Sequence, residues 1–84
     1  MGFFENKEIK KLKADVNMDP NDPGAHFNLG AAYNKAGKIH DAVREFEETV
    51  KIHSGSAEAH FNLGVLYASL NKSEKAIVHI LKAG

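Results

Sequence analysis

The side chains in this sequence with the clearest capacity for chemistry are its five histidines, because imidazole is a common ligand of transition metals. Two of them, His26 and His60, stand 34 residues apart, each within the segment Ala-His-Phe-Asn-Leu-Gly. If this shared segment marks two successive structural units, the two histidines lie too far apart to share an ion. No carboxylate or third histidine has metal-ligand spacing to either of them. We therefore expect no metal site and no cofactor.

Catalysis has little support among the residue types present. The chain has no cysteine, so it offers no thiol nucleophile, no thiolate metal site and no disulfide framework. There is no nucleophile motif, and Gly30 and Gly64 fall within helical patterns and not in a phosphate-binding loop. We expect the protein not to be an enzyme.

Charge and hydropathy argue against two further classes of partner. Lysine plus arginine balance aspartate plus glutamate at 11 each, so no net field would attract a nucleic acid or an anionic membrane. Lysines 7, 10, 11 and 13 accompany apolar residues, but acidic neighbours dilute them, which favours a solvated helix face. Without a signal peptide or a run of about 18 apolar residues, we expect a cytoplasmic protein that binds no membrane.

The sequence contains an internal repeat. A shift of 34 places aligns residues 25–50 with residues 59–84, and nine of these 26 positions are identical. Chance alone would give about one or two identities. Such a period is typical of a helical repeat protein. Beyond the shared six-residue segment, the identities pair Tyr33 with Tyr67, Lys38 with Lys72, and Ala42 with Ala76.

Each unit is predicted to form a helical hairpin, because apolar residues recur at helical spacing on both sides of a break. Gly37 stands at the break in the first unit and Asn71 in the second, and both residue types end helices in the left-handed conformation. Gly30 and Ala42 are small where the two helices of a hairpin would meet. The first helix of each unit is apolar on two faces, so we expect it to be sandwiched.

Local signals place the ends of the helices. Asp22 with Pro23, Ser56 and Ser73 are predicted to begin helices. A further helix precedes the repeats, which gives about five helices in an all-α, α-α superhelix of stacked hairpins. We expect one domain over residues 1–84, with an N-terminal helix in 1–19, a first repeat in 23–56 and an incomplete second repeat in 57–84.

This pattern resembles the tetratricopeptide repeat over residues 23–84. The family's Leu-Gly, Tyr, Ala and aromatic positions are matched by Leu29, Gly30, Tyr33, Ala42 and Phe46. The second unit matches with Leu63, Gly64, Tyr67, Ala76 and Ala83, and Pro20 stands at the family's inter-repeat proline. His26 and His60 replace the family's tryptophan, and Ser54 replaces its next proline. We interpret both histidines as packing residues and residues 53–56 as a possible hinge.

The resemblance implies a protein-protein interaction module that binds a peptide or protein segment in a concave, largely apolar groove. Phe27 and Phe61 would stack at its centre, and the amides of Asn28 and Asn62 would bond a peptide backbone. The opposing interpretation is that both phenylalanines only pack the core. By position, the groove residues are Phe27, Asn28, Ala31, Asn34 and Lys35, followed by Glu58, Phe61, Asn62, Val65, Ala68 and Ser69.

Some family members hold a terminal carboxylate with lysines, an arginine and asparagines. Only Asn28 and Asn62 match that set, since Phe27 stands at a clamp lysine position and Ala31 at a clamp asparagine position. We therefore do not expect a carboxylate-terminated ligand, because no basic group would pair with it.

The last predicted helix has no following helix in the sequence to cover its apolar side chains. We expect a homodimer or larger homo-oligomer, formed through these side chains or by exchange of C-terminal hairpins. A structural self-assembly module, or a fragment of a longer repeat array, is the alternative to a peptide-binding module. The self-association residues are Ile77, Ile80 and Leu81.

Overall fold

The structure is a computed structural model that describes residues 6–70, and these residues form four α-helices. The helices are α1 (Lys7–Met18), α2 (Pro23–Lys35), α3 (Ile39–Ile52) and α4 (Ala57–Ser69). The predicted all-α fold class is confirmed. The fifth predicted helix, which would follow Ser73, lies outside the described residues.

Side-chain caps begin three of the helices. Asn6 accepts hydrogen bonds from the backbone amides of Glu8 and Ile9 in the first turn of α1. The carboxylate of Asp22 accepts from the Gly24 amide at 2.9 Å, with Pro23 in the first helical position, and the hydroxyl of Ser56 accepts from the Ala59 amide at 3.3 Å. These caps satisfy amide groups that the helices themselves leave without partners.

The helices pack in chain order, with α1 against α2, α2 against α3, and α3 against α4. Helix α2 is thus sandwiched, as the two apolar faces of its sequence predicted. Its hairpin with α3 turns at Gly37, whose φ of 81° lies in the left-handed region that glycine enters most readily. Side chains from all four helices fill the core, and the largest fully buried ones are Ile9, Phe46 and Leu63.

Gly30 of α2 lies close to the ring of Phe46 of α3 inside the first hairpin. A Cβ atom built on Gly30 would lie 3.1 Å from two ring carbons of Phe46, which is fully buried. The predicted reason for a small residue at this position is therefore confirmed. A side chain there would separate α2 from α3.

Candidate protein-binding face

The residues predicted to line a groove lie on α2 and α4, and we call them together the groove face. Most are exposed, but they differ in character. Phe61 and Val65 are large apolar side chains that are 51% and 46% exposed, one helical turn apart on α4. Phe27 and Asn62 are half-buried, whereas the remaining members are exposed: Asn28, Ala31, Asn34, Lys35, Glu58, Ala68 and Ser69.

The two phenylalanines of the groove face do not stack on each other. The ring of Phe27 packs edge-on against Phe46, with 5.3 Å between ring centroids and an interplanar angle of 66°. Phe27 thereby joins the core in part, as the packing interpretation expected. Phe61 has no such ring contact within the described residues, so more of its surface remains available to a ligand.

A cavity of about 310 Å³ opens between the first turns of α2 and α4 and the last turn of α3. We call it the interhelix cavity. It brings Phe27 and Glu58 of the groove face together, although they belong to different repeats. Its other lining residues include Pro23, Gly24, Thr49 and His53.

A second depression, of about 360 Å³, lies between α1 and α2. Three groove-face residues, Asn28, Ala31 and Lys35, line it together with Glu8 and Leu12 of α1. These three residues therefore share a depression with the N-terminal helix and not with α4. Five groove-face residues thus line one of these two depressions and none lines both, which the repeat pattern alone did not indicate.

His26 holds α2 to two other parts of the chain. Its Nδ1 atom lies 2.8 Å from a carboxylate oxygen of Glu45 on α3, and its Nε2 atom lies 2.8 Å from the carbonyl oxygen of Pro20 in the α1–α2 loop. Both His26 and Glu45 are buried. An imidazolium donates to both acceptors at once, so the protonated form fits this site best.

The pKa of His26 is raised above its ordinary value of 6.5. Burial alone would lower this pKa, but four interactions that raise the pKa together outweigh the effect of burial. They are the hydrogen bond to Glu45, the hydrogen bond to the Pro20 carbonyl, and the negative charges of Glu45 and Glu48.

His60 makes the equivalent loop contact in the second repeat. Its Nε2 atom lies 2.8 Å from the carbonyl oxygen of Ser54, six residues earlier, as Pro20 is from His26. Both histidines are thus buried, as the packing interpretation held, and both also hold an inter-repeat loop. The sequence analysis did not predict this role. The signal for it in the sequence is that each histidine follows the inter-repeat position, Pro20 or Ser54, by six residues.

Three further sequence predictions concern self-association, metal binding and membranes. The proposed self-association residues Ile77, Ile80 and Leu81 lie outside the described residues. Within residues 6–70, no three histidine or acidic side chains come together in a way that could hold a metal ion. No helix in this same part of the chain has the length and apolar character to cross a membrane.

Solved structures with this fold include several of MamA. The crystal structure of MamA aligns with a TM-score of 0.85 at 24% identity, over 89% of this chain and 44% of that one. MamA AMB-1 aligns with a TM-score of 0.83 at 21% identity, over 89% of this chain and 44% of that one. MamA MSR-1 aligns with a TM-score of 0.74 at 20% identity, over 89% and 48%. The chain thus spans less than half the length of these proteins, and the similarity establishes the fold.

A comparison with curated proteins finds no match. Two family profiles, both described as tetratricopeptide repeat, match residues 4–60 and residues 57–83. The first alone covers more than half of the chain, and the two meet where α4 begins. The chain belongs to the tetratricopeptide repeat family.

Proposed function

We propose that this helical repeat module binds a peptide or protein segment along the groove face. The observation that carries the proposal is the exposure of Phe61 and Val65, at 51% and 46%. Both project from the same side of α4, while Leu63, Leu66 and Tyr67 of that helix are buried in the core. Phe61 and Val65 thus lie outside the core of the described residues, and their apolar surface is available to a partner.

The neighbouring groove residues supply the other elements of a peptide site. Asn28 is exposed and Asn62 is half-buried, and each amide can both donate to and accept from a peptide backbone. Apolar anchors with adjacent polar groups are the usual composition of an energetically important interface centre. The chain acts by binding and not by catalysis, and we place it in the cytoplasm.

The test is a selection of binding peptides from a displayed library of random 12-residue sequences, with the immobilised chain as target. Peptides enriched on the natural chain should bind Phe61→Ser about tenfold or more weakly, because an exposed apolar anchor is lost. Met18→Ser is the matched control, since Met18 is 85% exposed on α1 and outside the groove face. It should leave binding unchanged.

A second copy of the chain is another occupant of an apolar face. Light scattering of the natural chain and of Phe61→Ser separates the two. A mass that falls to that of a monomer in Phe61→Ser would assign this face to self-association. Enrichment of no peptide family, or equal binding by Phe61→Ser, would contradict the proposal.

A further inference from the structure

The interhelix cavity differs chemically from the apolar part of the groove face. Its lining includes the Phe27 ring, which Phe46 holds in place from the core, and the exposed carboxylate of Glu58. No lysine or arginine is among its lining residues in the described part of the chain. The cavity thus presents an aromatic ring and a negative charge together.

Glu58 has no lysine or arginine partner within residues 6–70, although the imidazole of His53 lines the same cavity. Four other acidic side chains, those of Asp15, Asp41, Glu45 and Glu48, each lie within 4.0 Å of a lysine or arginine nitrogen. Glu58 forms no ion pair within the described part of the chain. Its charge is therefore available to a ligand.

An anionic ligand fits this cavity poorly, although the first turns of two helices border it. The Gly24 amide already donates to Asp22, and the Ala59 amide already donates to Ser56. The Asp22 carboxylate oxygen lies only 3.3 Å from the position of a Cβ atom on Gly24, a lining residue. The helix ends are thus occupied by the chain's own caps, and one cap adds a second negative charge.

We propose that the segment bound on the groove face places an arginine or lysine side chain in the interhelix cavity. The methylene groups of that side chain pack on Phe27, and its cationic end lies beside Glu58. The apolar residues of the same segment then contact Phe61 and Val65. This inference rests on the proposed function, and it specifies the partner as a basic and apolar segment.

The test repeats the displayed-library selection on three targets, namely the natural chain, Glu58→Gln and Glu58→Lys. Asp15→Asn is the control, because it removes one negative charge on α1 away from the cavity. Peptides from the natural chain should be enriched in arginine or lysine at one position. Replacing that residue by glutamine in a synthetic peptide should weaken binding by about fivefold to tenfold.

The variants distinguish the possible outcomes. Glu58→Gln should abolish the preference for the basic residue while keeping sensitivity to Phe61→Ser, Glu58→Lys should select against it, and Asp15→Asn should change nothing. If peptides are enriched and depend on Phe61 but show no basic preference, or keep it in Glu58→Gln, the cavity assignment is wrong and the proposed function stands. If no peptide is enriched on the natural chain, both are wrong.

Discussion

The Nδ1 atom of His26 lies 2.8 Å from a carboxylate oxygen of Glu45, in a buried position between α2 and α3. The opposite ring nitrogen holds the Pro20 carbonyl at the same distance. One side chain thus joins the two helices of the first hairpin to the loop that precedes them. This contact makes the stability of the repeat sensitive to charge at a single site.

Removing the partner of His26 should destabilise the fold strongly. We expect Glu45→Ala to lower the free energy of unfolding by about 2 to 4 kcal/mol, because it leaves a buried imidazole without its acceptor. Asp41→Ala is the comparison, since Asp41 pairs with Arg44 on the surface and should cost only about 0.5 to 1 kcal/mol. Urea unfolding followed by circular dichroism measures both, and equal losses would contradict the importance of the buried pair.

The stability contributed by His26 should depend on pH. Since the pKa of His26 is raised in the folded state, protonation favours folding, and this contribution is complete below the ordinary pKa of 6.5. It is lost as the pH rises through the raised pKa. The difference in unfolding free energy between the natural chain and His26→Gln should therefore be larger at about pH 6 than at about pH 8.5. A difference that is independent of pH would show that His26 is not protonated in the folded chain.

Gly30→Ala should destabilise the chain despite the higher helix propensity of alanine. Alanine gains about 1 kcal/mol over glycine inside a helix, but its Cβ would lie 3.1 Å from the ring of Phe46. That ring is fully buried and packs against Phe27, so it has little room to move. We expect overpacking to outweigh the gain, with a net loss of about 1 kcal/mol in thermal unfolding. A higher melting temperature would mean that the hairpin can adjust.

Substitutions of Gly37 should be limited by its backbone conformation and not by lack of space. No atom lies within 4 Å of a Cβ built on this residue, but its φ of 81° is unfavourable for most side chains. Gly37→Ala should cost about 1 kcal/mol, and Gly37→Asn clearly less, because asparagine tolerates the left-handed region. Equal losses in urea unfolding would point to another cause.

The elements that sequence predicted well are those fixed by neighbouring residues. Asp22 with Pro23, Ser56 and Gly37 each act within a few positions of themselves, so their chemistry alone locates helix ends. The bond between His26 and Glu45 spans 19 residues and depends on the register between two helices. Residue types do not reveal that register.

The groove face shows the same limit. The repeat period placed Phe27 and Phe61 at equivalent positions and suggested that they stack. In the structure Phe27 packs on Phe46, while Phe61 is 51% exposed. Equivalent positions in a repeat therefore need not have equivalent surroundings. Asn28, Ala31 and Lys35 of α2, for example, share a depression with residues of α1.

The most direct test of the account is to locate a bound peptide on the chain. Backbone amide chemical shifts, recorded while the tightest selected peptide is added to the natural chain, report which residues it contacts. We predict the largest changes in α2 and α4 around Phe27, Phe61 and Val65, with little change around the surface pair of Asp41 and Arg44 on α3. Changes concentrated around Asp41 and Arg44 on α3, with α4 unaffected, would contradict the assignment of the groove face as the binding site.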